Sequence, residues 1–168
     1  MRPPAPVPDD DLKLSAWLPY RLFLVAAQIA RPLEDFYGET FGLSQAGWRI
    51  LAVIAERNGA NASEIGRACA LDPFAVSRGI GQLVELGFAV RRPGRIDRRY
   101  AAVSITRSGR AAFNRIAALG RTIETRLLAR LADAERAMLD SAVGKLEAES
   151  ARIGAGGWRS LLEDDGSS

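Results

Sequence analysis

The sequence predicts a mainly α-helical protein interrupted once by a small β-hairpin, and three observations predict it. Apolar residues recur at spacings of three and four along most of the chain, and the helical stretches open on Ser, Asn, Asp or Thr and tend to close near glycine. Only between Phe88 and Ile105 does the pattern change to alternation, around a turn that starts at Pro93-Gly94. A chain of 168 residues, 48% of them hydrophobic, has material for one core. The expected organisation is a disordered segment over 1–15, a single domain over 16–153 with a lobe of its own at about 44–106, and a flexible tail over 154–168.

The first helix is expected from about Trp17 or Pro19 to Tyr37. Leu18, Leu22, Val25, Ile29, Leu33 and Phe36 form its stripe, and Pro32 should kink or break its last turn. Ser44 caps the second helix, which carries Trp48, Leu51, Ile54 and Ala55 until Asn58-Gly59 stops it. Asn61 with Glu64 three residues on has the logic of a capping box for a short third helix, on which Ile65 and Cys69 share a face. The fourth is announced most clearly, with Asp72 as N-cap, Pro73 in the first position and Gly87 at the end. At 100° per residue, Val76, Ile80, Leu83 and Val84 fall in one stripe and Phe74, Ser77, Arg78, Gly81 and Gln82 on or beside the opposite face. Phe88 to Arg92 and Tyr100 to Ile105 read as strands, with Val103 and Ile105 inward and Ala102 and Ser104 outward. Thr106 caps a fifth helix to about Leu131, with Phe113, Ile116, Leu119, Ile123 and Leu127 as its stripe. Asp133 caps a sixth, which Gly154-Ala-Gly-Gly157 should end.

Composition excludes several chemistries. There is no histidine and one cysteine, Cys69, so Ser-His and Cys-His pairs, thiolate metal sites and an internal disulfide are absent. No paired carboxylates or nucleophile motif stand out, so no enzyme, metal or cofactor is expected. The glycine repeats Gly79-Ile-Gly81 and Gly154-Ala-Gly-Gly157 do not join a strand to a helix, which is what a phosphate-binding loop requires. The proline-rich, then acidic, N-terminus has no apolar signal region, and no stretch nears the roughly 18 apolar residues of a membrane span. A soluble, cytoplasmic protein without membrane contact is expected.

Charge is small in total, +3, and uneven in distribution. Residues 67–115 hold ten arginines and three acids, a net +7, while the remainder is −4. That is the footprint of one face meeting a polyanion. Arg91, Arg92, Arg95, Arg98 and Arg99 crowd the hairpin, far more charge than a structural hairpin needs. Three helices followed by a basic hairpin form a winged helix-turn-helix, whose third helix enters a major groove while the hairpin follows the backbone or an adjacent minor groove.

The segments Leu43-Ser-Gln-Ala-Gly-Trp-Arg-Ile-Leu51, Ser63-Glu-Ile-Gly66, Val76-Ser-Arg78, Leu83-Val-Glu-Leu-Gly87, Arg91-Arg92, Asp97-Arg-Arg99 and Ile105-Thr-Arg-Ser-Gly-Arg110 together resemble the MarR-type transcriptional regulators, over roughly residues 18–150. The resemblance implies a homodimer whose first, fifth and sixth helices interlock and whose winged lobes straddle a pseudo-palindromic operator. Apolar stripes at both ends of the chain agree, since a long exposed stripe needs a partner. The expected function is a sequence-specific, double-stranded-DNA-binding repressor released by a small aromatic or anionic effector. The alternative is a winged-helix protein-interaction module without DNA recognition.

Residue roles follow. Arg78 suits phosphate or guanine, Ser77 phosphate or a base edge, Phe74 a thymine methyl and Gln82 an adenine. Arg92, Arg95 and Arg98 extend this basic surface. The resemblance implies that Arg99 is the wing's inserting arginine and that Asp97 holds wing geometry. Trp17, Tyr20, Phe23 and Trp48 are candidates for an effector pocket. Relatives that sense peroxide carry their cysteine near the first helix, so Cys69 reads as a buried, inert thiol.

Overall fold

The computed structural model describes residues 12–93 and 101–163. The elements run α1 (Leu18–Phe41), α2 (Gln45–Glu56), β1 (Ala60–Asn61), α3 (Ala62–Cys69), α4 (Pro73–Glu85), β2 (Ala89–Pro93), β3 (Ala101–Ile105), α5 (Arg107–Leu128) and α6 (Asp133–Glu163). The chain divides into two compact units, Met1–Arg121 and Thr122–Ser168.

Capping chemistry accounts for most of the boundaries. The Ser44 hydroxyl accepts from the Gly47 N–H at the start of α2. At α3, Asn61 Oδ1 accepts from the Glu64 N–H while Glu64 Oε2 accepts from the Asn61 N–H, a complete capping box. Asp72 Oδ1 takes the N–H groups of both Phe74 and Ala75 at α4. Each such cap stabilises its helix by about 1 kcal/mol.

Two helix ends differ from expectation. α1 runs through Pro32 to Phe41 and ends where Gly42 turns left-handed at φ 66°, its N–H donating to the Gly38 carbonyl and that of Leu43 to the Tyr37 carbonyl. Proline removed one hydrogen bond without ending the helix, and the true stop was the glycine ten residues later. α6 runs on to Glu163, but the expected stop is present within it as a break at Gly157 (φ 72°, ψ 166°), the last glycine of the cluster, beyond which the chain turns helical again. Gly154 and Gly156 are carried within the helix, and only Gly157 takes the positive φ that interrupts it.

The sheet has three strands in the order β1-β3-β2, all antiparallel. β1, only two residues, is too short to show alternation in sequence. β3 is the central strand, and Ala102 is buried as well as Val103, so the expected outward position is covered. The Gly59 N–H donates to the Val103 carbonyl, and Asn58 Oδ1 accepts from the Ile105 N–H.

The core of the first unit joins Ile50, Leu51 and Ile54 of α2 with Ile65 and Cys69 of α3, Val76, Ile80 and Leu83 of α4, Val103 of β3 and Ile116 of α5. Tyr37 of α1 and Phe113 of α5 stack on Trp48 of α2 at centroid distances of 6.0 and 5.8 Å. Phe88 pins the start of α5: its carbonyl accepts the Thr106 N–H, and the Gly87 carbonyl accepts both the Thr106 and Ser108 hydroxyls. Gly109 sits so close to the Phe88 carbonyl that no Cβ fits there.

The N-terminal part of α1 joins none of this. Leu18, Leu22, Phe23 and Val25 are exposed, Phe23 at 64%. Within the second unit, α6 exposes Met138, Leu139, Val143, Leu146, Ile153 and Trp158. No helix among the described residues is long and apolar enough to cross a membrane.

Candidate nucleic-acid interface

α3 and α4 are joined by Ala70-Leu71-Asp72, and Ala70 makes the turn in the left-handed region at φ 50°. α4 is then held from behind: Val76, Ile80 and Leu83 enter the core, and Gly79 lets α2 approach, since a Cβ there would meet Ile50 Cδ1 at 2.5 Å. Its other face is presented outward by elimination. Phe74 is 70% exposed, and the Arg78 guanidinium lies over its ring, 5.6 Å from the centroid. Ser77 is exposed beside them, and Arg91 and Arg92 are exposed on β2. Among the described residues none of Arg78, Arg91 and Arg92 enters an ion pair. A planar guanidinium held over a ring keeps its N–H edge free for a phosphate or a guanine.

Gln82 has another task. Its Oε1 accepts from the Ser44 N–H at 3.1 Å and the Ser44 hydroxyl at 2.7 Å, and its Nε2 donates to the Gly42 carbonyl at 3.1 Å. Both ends of the amide are thereby engaged with the corner between α1 and α2, which runs against the expected role of adenine reader. Gly47 leaves the room this amide occupies. The signal in the sequence was weak: a Gly-Leu-Ser corner shows no partner until the chain folds.

The basic segment is also less uniformly outward than its charge suggested. Arg110 donates to the Ala55 carbonyl at 2.6 Å, closing the end of α2, and lies over Phe113. Arg115 lies over Phe41. These two serve the fold. Arg95, Asp97, Arg98 and Arg99, expected at the wing, lie outside the described residues.

The expected effector residues are not brought together. Trp48 is in the aromatic stack against Tyr37, whereas Tyr20 stacks on Phe23 at 6.4 Å, seventeen residues and about 25 Å away along α1. Trp17 is exposed at the start of the same helix. A cavity of about 420 Å³ lies elsewhere, between α3, α4 and β2, lined by Ser63, Gly66, Arg67, Leu71, Val76, Ser77 and Arg91. Its floor is apolar and its rim carries two arginines and two serines. Arg67 already holds Ser63 through a 3.0 Å bond, a pairing at i and i+4 that the sequence did contain. A larger, open hollow of about 770 Å³ near the end of α2 is lined by Asn58, Glu64 and Arg67, each engaged in an internal bond.

Cys69 is buried, and that burial pushes its thiol pKa up, against the thiolate that reactivity requires.

Comparison with known proteins places this geometry. Residues 41–99 match the family model of the MarR family. Among solved structures, a MarR-family transcriptional regulator from Silicibacter pomeroyi is 23% identical, with 82% of this chain and 92% of that one covered and a TM-score of 0.71. A MarR/EmrR-family regulator from Acinetobacter sp. ADP1 is 21% identical over 84% of this chain and 100% of that one, TM-score 0.73. Wild-type MarR from E. coli in its apo form is 24% identical over 77% and 96%, TM-score 0.65. No curated protein sequence matches the chain. At these identities the structures establish the fold. The family match lies over the winged lobe, and the chain shares with these regulators the fold of the MarR family, a winged helix-turn-helix.

Proposed function

We propose that the protein is a sequence-specific DNA-binding transcriptional regulator, a homodimeric repressor acting in the cytoplasm on a pseudo-palindromic operator. The carrying observation is the outward face of α4. Phe74, Ser77 and Arg78 project from a helix whose opposite face is locked into the core, with Arg91 and Arg92 exposed on the adjoining strand. A rigid helix with a free guanidinium and an exposed ring suits a major groove, where a guanine edge accepts bidentate bonds and a thymine offers a methyl. Arg92, Arg95, Arg98 and Arg99 supply phosphate and minor-groove contacts, with Asp97 orienting the wing. The uncovered apolar side chains of α1 and α6 support a dimer, since such a surface calls for a partner.

The cavity between α3, α4 and β2 supports effector release. A small aromatic anion fits an apolar floor rimmed by Arg67 and Arg91, and a ligand there touches Ser77 and Arg91, two members of the DNA-facing set. Ligand and DNA then compete, and by linkage each weakens the other equally.

The test is selection from random-sequence DNA by the full-length protein, followed by titration of the selected duplex at several salt concentrations. The expected result is an inverted-repeat site, a log-log salt slope of about −0.9 for each phosphate contact, and a slope flatter by about one in Arg99→Ala. No enriched sequence, or binding indifferent to salt, overturns the reading.

A further inference from the structure

Gly81 is the ninth of the thirteen residues of α4 and lies on the face that carries Phe74, Ser77 and Arg78. A glycine inside a helix calls for a reason, because only proline is a poorer helix former. Three internal reasons are available, and the structure removes each. Gly81 is not among the positive-φ glycines, which are Gly42, Gly59, Gly87 and Gly157 among the described residues. It does not end the helix, which continues to Glu85. No neighbour needs the space, since a Cβ built on Gly81 meets nothing within 4 Å, in contrast to Gly79 two residues earlier against Ile50. Gly120 and Gly144 are equally open, but they lie on α5 and α6, the helices assigned above to the dimer contact.

Resting on the DNA-binding reading, we infer that Gly81 is a specificity-determining residue whose missing side chain lets α4 seat closer to the base edges. A helix with its side chains is about 10–12 Å across, and the major groove is about 12 Å wide, so the fit has no slack. Ser77 and Arg78 stand one turn before Gly81. Their bonds to base edges hold only near 2.7–3.2 Å donor to acceptor, roughly, and a side chain at 81 pressing on the groove lifts both residues out of that range. Contacts to phosphate from long arginine side chains such as Arg91 and Arg92 on the adjoining strand tolerate the same lift.

The experiment uses the full-length protein, the duplex that the wild type selects from random-sequence DNA, and a scrambled duplex of equal length. Gly81→Ala is expected to raise Tm by roughly 2–4 °C at fixed protein concentration, because it adds a better helix former and removes no contact. The same variant is expected to bind the selected duplex about tenfold more weakly and the scrambled duplex within about twofold of wild type. Gly81→Leu should deepen the loss on the selected duplex to about a hundredfold without lowering Tm below wild type. Either variant binding the selected duplex as tightly as wild type overturns the inference. So does a lowered Tm, or an equal loss on both duplexes, since those assign the glycine to the fold or to bulk charge. A wild type that selects no sequence overturns the DNA-binding reading itself, and this inference with it.

Discussion

Replacing Gln82 by alanine separates two roles that one side chain was offered: reader of an adenine, or bolt between α4 and the α1–α2 corner. Alanine removes three hydrogen bonds, two accepted from Ser44 and one donated to the Gly42 carbonyl. Each is worth about 0.5–1.5 kcal/mol net, but the corner is open to water, which re-satisfies Ser44 and Gly42 in part, so the lower end applies. Alanine also returns a few tenths of a kcal/mol in helix propensity, roughly. The expected net loss is about 1–2 kcal/mol. Urea unfolding at fixed protein concentration should show a lower midpoint with an unchanged slope. Glu at 82 keeps acceptors for Ser44 but sets an oxygen against the Gly42 carbonyl, so its loss should also be measurable. In parallel, the base preferences of Gln82→Ala, selected from random DNA, should match those of wild type at every operator position. Unchanged stability together with lost adenine preference at one position would refute the reasoning and return Gln82 to the DNA surface.

Gly109→Ala should destabilise by roughly 2–3 kcal/mol in the same assay, since its Cβ runs into the backbone carbonyl of Phe88, which cannot rotate away; a loss under 0.5 kcal/mol counts against that rigidity, roughly speaking. Ala70→Gly should stabilise by about 0.5–1 kcal/mol, because the left-handed turn between α3 and α4 strains alanine and not glycine; a lower Tm than wild type is the contrary result. Tyr37 has its ionisation pushed up to about 12, first by burial and then by Glu34, with Arg49 opposing. The raised value means that the folded state holds the proton more tightly. The contribution is therefore full below pH 10 and is lost as pH rises from about 10 to 12, by about 2–3 kcal/mol relative to Tyr37→Phe across the same range. Parallel alkaline curves for the two proteins would contradict it.

Local chemistry was legible where a few adjacent residues decide the matter. The caps at Ser44, Asn61 and Asp72 and the Glu64 box are read from neighbours three positions apart, and all form as expected. The outward set Phe74, Ser77 and Arg78 follows from the 100° step once Val76, Ile80 and Leu83 are assigned inward. Boundaries failed where a stronger signal lay farther along, as at Pro32 and Gly42, or where an element was too short to show a period, as in β1.

Charge shows the division most clearly. By itself the sequence determined that the basic residues concentrate between Arg67 and Arg115 and that α4 has an outward face, because composition and helical periodicity are properties of neighbours along the chain. Tertiary structure alone decided which of those residues are available. Arg110 turns in to the Ala55 carbonyl fifty-five positions away, Arg115 covers Phe41, and Gln82 reaches back forty residues to Gly42, while Arg78 and Arg91 remain exposed and enter no ion pair among the described residues. A hydrogen bond is specified by the place of its partner, and for these side chains that place exists only after the helices have packed.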